Sequence, residues 1–125
     1  MGDRGNVFVV EQYSSEAKVE GAPPRGIYLY THWSGSDLPA TVAAALQRGR
    51  DRWDDGAYLT RIIFDEMTGG DRGTTGFGIA LSPPDNEHPI ITVDPRNMTV
   101  ERDGKTWSMA DFVTAVPTIG TDEGE

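Results

Sequence analysis

Hydrophobic and polar positions along the chain change period several times. Val7 to Glu11 is a β-branched and aromatic run, the pattern of a strand. Residues 14 to 26, with Pro23-Pro24-Arg25-Gly26, read as a loop. Ile27 to Trp33 alternates. The strand period puts Ile27, Leu29, Thr31 and Trp33 on one face and Tyr28, Tyr30 and His32 on the other. A first hairpin follows.

The period then becomes helical. Ser36 or Asp37 can cap a helix start, and Pro39 is tolerated in its first turn. Leu38, Val42, Ala45 and Leu46 form an apolar stripe that runs to about Arg50. Asp54-Asp55-Gly56 separates this helix from a second one over Ala57 to Thr68. There Tyr58, Leu59, Ile62, Ile63 and Met67 share a face, and the glycines from Gly69 end the helix.

The second half returns to short strands over Gly76 to Leu81, Ile90 to Asp94, Met98 to Arg102 and Lys105 to Trp107. Asp103-Gly104 joins the last two as a tight hairpin. Ser108 with Asp111 caps a short helix through Ala115. The order ββααββββα predicts an α+β fold, with an antiparallel sheet of five or six strands and two main helices on one face. Residues 1–116 form one domain in this reading, and 117–125 an acidic tail.

Composition narrows the chemistry. The 125 residues suit one domain. There is no cysteine, so disulfides, thiolate metal sites and thiol nucleophiles are excluded. Asp and Glu number 20 against 11 Lys and Arg, a formal charge of -9 that opposes DNA or RNA binding. Nine of the eleven bases are arginine, whose planar fork suits carboxylate or phosphate. No apolar run approaches the roughly 20 residues of a membrane span, and Met1 to Asn6 is polar. The reading is therefore a cytoplasmic protein without membrane attachment.

Several residues stand out. Glu66 falls inside the apolar arc of the second helix, where a carboxylate must be paired or protonated. It is either a structural ion pair, with Arg4 as partner, or a polar contact in a ligand site. Tyr28, Tyr30 and His32 offer rings that can stack on a base, or else they pack as core with satisfied polar tips. Gly2-Asp3-Arg4-Gly5-Asn6 allows close backbone approach but lacks the Lys-Ser/Thr of a phosphate loop. Arg61 lies on the polar side of the second helix, with Asp65 at i+4 as an ordinary surface partner. Asp85-Asn86-Glu87-His88 has no metal-ligand spacing and reads as a loop. No Gly-x-Ser-x-Gly elbow exists, and no catalytic residue, metal or cofactor is assigned.

Taken together, the phrases Met1-Gly-Asp-Arg-Gly-Asn-Val, Tyr30-Thr-His-Trp-Ser-Gly with Leu38-Pro39, Arg52-Trp-Asp-Asp with Tyr58-Leu59, Arg61-Ile-Ile-Phe with Glu66-Met67, Thr75-Gly-Phe-Gly-Ile, and Asp85-Asn-Glu with Pro89-Ile90 resemble a family of small proteins of phages and high-GC bacteria. The chain also resembles the phage anti-defence sponges that bind cyclic dinucleotides of the CBASS immune system. That resemblance implies a non-catalytic protein sequestering a nucleotide-type signal in the host cytoplasm. Tyr28, Tyr30, His32 and Trp33 can stack on bases, and Arg4 or Arg61 can meet phosphate. An acidic protein holding an anion must gather its arginines, and a homo-oligomer is one way to do so. Two other readings stay open: a small hydrolase using His32 and Glu66 on a nucleotide-like substrate, and an acidic protein-interaction module.

Overall fold

A computed structural model describes residues 3–11, 25–71, 73 and 75–124, with side chains through 116. The expected loop at 14–26 lies mostly outside the described residues. The element order is β1 (Gly5–Val10), β2 (Gly26–Thr31), α1 (Leu38–Arg48), α2 (Gly56–Thr68), β3 (Phe77–Ala80), β4 (Ile91–Asp94), β5 (Thr99–Arg102), β6 (Lys105–Ser108) and α3 (Met109–Gly124). This is the α+β order that the hydrophobic periods predict.

The six strands form one sheet in the order β3-β2-β1-β4-β5-β6. It is mostly antiparallel, but its centre is not. β1 and β4 run parallel, with Val7 beside Ile91 and Val9 beside Val93. The mostly antiparallel sheet of six strands agrees with the expectation from the order, with one parallel pair at its centre. Hairpin signals are local, whereas a parallel pair is made by segments far apart in the chain.

All six residues of β1 are buried, as a central strand requires. Val7 and Val9 point into the main core together with Leu29, Ile91, Val93 and Val100. From the helices this core receives Leu38, Val42, Leu46, Leu59, Ile63, Met109 and Phe112. Helix α3 thus joins α1 and α2 on the same face as a third packed helix. Its backbone continues past the expected boundary at residue 116 to Gly124.

The helix ends follow local rules. The Asp55 side chain accepts from the Tyr58 N–H and caps α2. Gly69, at φ 57°, closes it in the left-handed region. Met109 opens α3 beside Ser108, whose Oγ accepts from the Asp111 N–H. Asp103 and Gly104 both take positive φ, the geometry of the two-residue hairpin between β5 and β6.

Two expectations about apolar faces are corrected. Tyr58 is half-exposed and not on the core face, with the Arg52 guanidinium 4.6 Å from its ring centre. Trp33 is 50% exposed and not core. β2 ends at Thr31, so strand alternation no longer governs Trp33. No helix among the described residues is long and apolar enough to cross a membrane.

Leu59 is fully buried where α2 meets the sheet. Leu59→Ala should lower the unfolding free energy by about 2–5 kcal/mol. Gln47→Ala, on an exposed helical surface, should change it by less than about 0.5 kcal/mol. Urea titration followed by circular dichroism measures both.

Candidate functional site

Among the described residues, the sheet has one face under the three helices and one that carries no helix. Strand parity decides what each face shows. Since Val7 and Leu29 face the helices, Asn6 and Phe8 of β1 and Tyr28 and Tyr30 of β2 face the other way. The rings of Phe8 and Tyr28 pack at 4.6 Å between centroids, which keeps Phe8 buried without any helix above it.

Further along β2 the rings continue. The Tyr30 hydroxyl hydrogen-bonds His32 Nδ1 at 2.9 Å. His32 meets Trp33 edge-on at 5.8 Å, and Trp33 meets Phe77 edge-on at 6.0 Å. Glycines make room for these rings. Gly76 has φ 98°, and a Cβ there would come within 2.3 Å of the Trp33 ring. A Cβ on Gly78 would lie 4.0 Å from the Tyr30 ring, so that position has ordinary van der Waals space.

The N-terminal end of β1 is a polar junction. The Asp3 carboxylate accepts from both the N–H and the hydroxyl of Ser36, at 3.1 and 2.6 Å, and also pairs with His88 Nε2. The Asp3 N–H donates to the His32 carbonyl, and the Asp3 carbonyl accepts from Gly35. The Arg4 N–H donates to Glu87 Oε1 at 2.8 Å, and the Arg4 carbonyl accepts from the Glu87 N–H. Asn6 Nδ2 donates to Asn86 Oδ1 at 2.8 Å. Gly35 is required here, because a Cβ would come within 2.7 Å of the Asp3 carbonyl oxygen.

Two polar atoms in this junction are buried and lack a hydrogen-bond partner among the described residues. They are Asn6 Oδ1 and Arg4 Nε. The nearest Glu87 oxygen is 3.8 Å from Arg4 Nε, an ion pair and not a hydrogen bond. A buried acceptor and a buried donor left open cost about 1–3 kcal/mol each unless something supplies the missing bonds.

The residues singled out from the sequence divide between the two faces. Arg4, Tyr28, Tyr30 and His32 belong to the helix-free side, and Trp33 adjoins them at the end of β2. Arg61 and Glu66 are on α2, on the opposite side. Glu66 pairs with Arg48 at 2.7 Å, not with Arg4. Asp65, the expected partner of Arg61, is held by the same Arg48 at 3.0 Å. Hydrogen bonding to Glu66, then to Asp65, raises the Arg48 pKa. Arg61 lines a hollow of about 400 Å³ with Phe64 and Ile79. A second hollow, of about 500 Å³, lies between the far end of the β1–β2 pair and the start of α2. No three His, Asp or Glu side chains among the described residues gather as a metal site.

Asp3, Ser36, Asn86, Glu87 and His88 were missed as a cluster. The only sequence signal was Asn6, a polar residue in a strand whose other members are apolar. Three of the quoted phrases, at Asp3–Asn6, Thr31–Gly35 and Asp85–His88, meet in this junction, and Gly76–Ile79 adjoins it through Trp33. No protein-family model, curated protein or solved structure matches the chain.

Hydrogen bonds from the Ser36 hydroxyl first, then from His88 and the Ser36 N–H, hold the Asp3 pKa below its ordinary value of 3.8. A carboxylate lowered on folding contributes stability that is full above its unfolded pKa and is lost as pH falls through the folded one. Asp3→Asn should therefore destabilise at neutral pH, by at most about 1 kcal/mol because the group is partly exposed. The difference from wild type should shrink below pH 3.8. Unfolding titrations across the acid range measure it.

Proposed function

We propose that this chain is a non-catalytic binding protein that sequesters a small nucleotide-type ligand on the helix-free face of its sheet. The observation that carries the reading is the row of rings Tyr28, Tyr30 and His32 along β2 on that face, ending at the polar junction that holds Arg4. Rings supply stacking surface for bases of any kind. Arg4 supplies positive charge for a phosphate. The phage anti-CBASS resemblance supports a cyclic dinucleotide as the ligand, since it carries both stackable bases and phosphates.

The placement of titratable groups favours binding over turnover. A hydrolase using His32 and Glu66 needs both against one substrate. His32 is bonded to Tyr30 on one side of the sheet, and Glu66 is bonded to Arg48 on the other. Self-association belongs to the same reading. It would gather arginines from several copies of a chain whose formal charge is -9.

The test is a panel of cyclic dinucleotides titrated against the pure protein. Tight binding with recovery of unaltered ligand after heat denaturation is the expected result. Tyr30→Ala should weaken binding by about 5- to 150-fold, the loss of one base–ring stack. Arg61→Ala should leave it unchanged. Absence of binding across the panel, or recovery of cleaved ligand, would overturn the reading.

A further inference from the structure

The two edges of the sheet differ. β6 carries exposed Lys105 and runs directly into α3. Such an edge is guarded against pairing. β3 is unguarded. Residues 73–84 contain no Asp, Glu, Lys or Arg, although a quarter of the chain is charged. Ile79 is 59% exposed and Leu81 85% exposed, both on the helix side of this edge.

The hydrogen-bond phase shows which backbone groups are open. His32 N–H donates to the Gly76 carbonyl at 2.8 Å. The register continues with Tyr30 opposite Gly78 and Tyr28 opposite Ala80. Antiparallel ladders alternate, so Gly78 and Ala80 spend their N–H and C=O groups on β2. The groups of Phe77 and Ile79 point outward. Ile79, whose backbone groups point outward, thus also presents an exposed apolar side chain, with Leu81 next in the same phase.

We propose that β3 pairs antiparallel with β3 of a second copy about a two-fold axis at Ile79. In that register Ile79 faces the second copy's Ile79, and Phe77 faces its Leu81. Every outward group finds its mate, and exposed Leu81 gains an apolar neighbour. The occupant is a second copy because the strip is its own complement under two-fold rotation. Two chains of charge -9 repel, so they meet best through an uncharged edge.

This inference rests on the self-association in the proposed function and not on its ligand. Sedimentation equilibrium of the full chain should show a dimer. Ile79→Lys should weaken it at least about tenfold, because it places two like charges in a buried contact. Ile79→Pro should do the same while keeping the β2–β3 ladder, since the Ile79 N–H points outward. The chain has no cysteine, so Ile79→Cys adds a single thiol. Facing Cα atoms in a hydrogen-bonded pair sit about 5.5 Å apart, within disulfide range. Mild oxidation should therefore give a covalent dimer, and Ala80→Cys, on the other face, should not.

A monomeric wild type overturns both the interface and the self-association. A dimer that keeps its affinity in folded Ile79→Lys overturns the interface alone. If Ile79→Lys and Ile79→Pro unfold, the thiol decides: cross-linking at position 79 over position 80 supports the interface, and its absence overturns it.

Discussion

The whole molecule is organised by the need to satisfy β1 on four sides. Its two edges are taken by β2 and β4, and its two faces by the helices and by the Phe8–Tyr28 contact with the loop at 85–88. A strand of six buried residues cannot leave backbone or side-chain polar groups unmet without cost. Val7 and Val9 meet that demand with apolar packing. Asn6 cannot, so a loop distant in sequence is drawn in to bond it.

That demand explains why the polar junction lies where it does. Asp3 and Arg4 continue the line of β1 beyond the sheet, and their backbone and side chains take partners from both neighbouring loops. Ser36 and His88 converge on one carboxylate, and Glu87 closes over Arg4. Gly35 permits the close approach. The result is a hydrogen-bonded corner beside the rings at the end of β2.

The helical side is closed by different chemistry. Arg48 bridges Asp65 and Glu66 across the α1–α2 pair, so the carboxylate inside the apolar arc of α2 is satisfied locally. An exposed pair of this kind adds little stability. Its value is in removing an unpaired charge from the rim of the core.

Much of the fold was legible in the chain because it depends on local periods. The element order, the Gly69 stop and the Asp103-Gly104 hairpin all follow from residues within a few positions of one another. The division of Tyr28 and Tyr30 from Ile27 and Leu29 followed from strand alternation alone. Trp33 was misread because alternation ends with the strand. Only tertiary structure decided the parallel β1–β4 pairing, the partner of Glu66, the gathering of Asp3, Ser36 and His88, and which sheet edge stays open. Each of these joins segments separated by many residues, and nothing in a local period records which distant backbone or carboxylate will arrive. The sequence determined the elements and their faces, and long-range packing chose their neighbours.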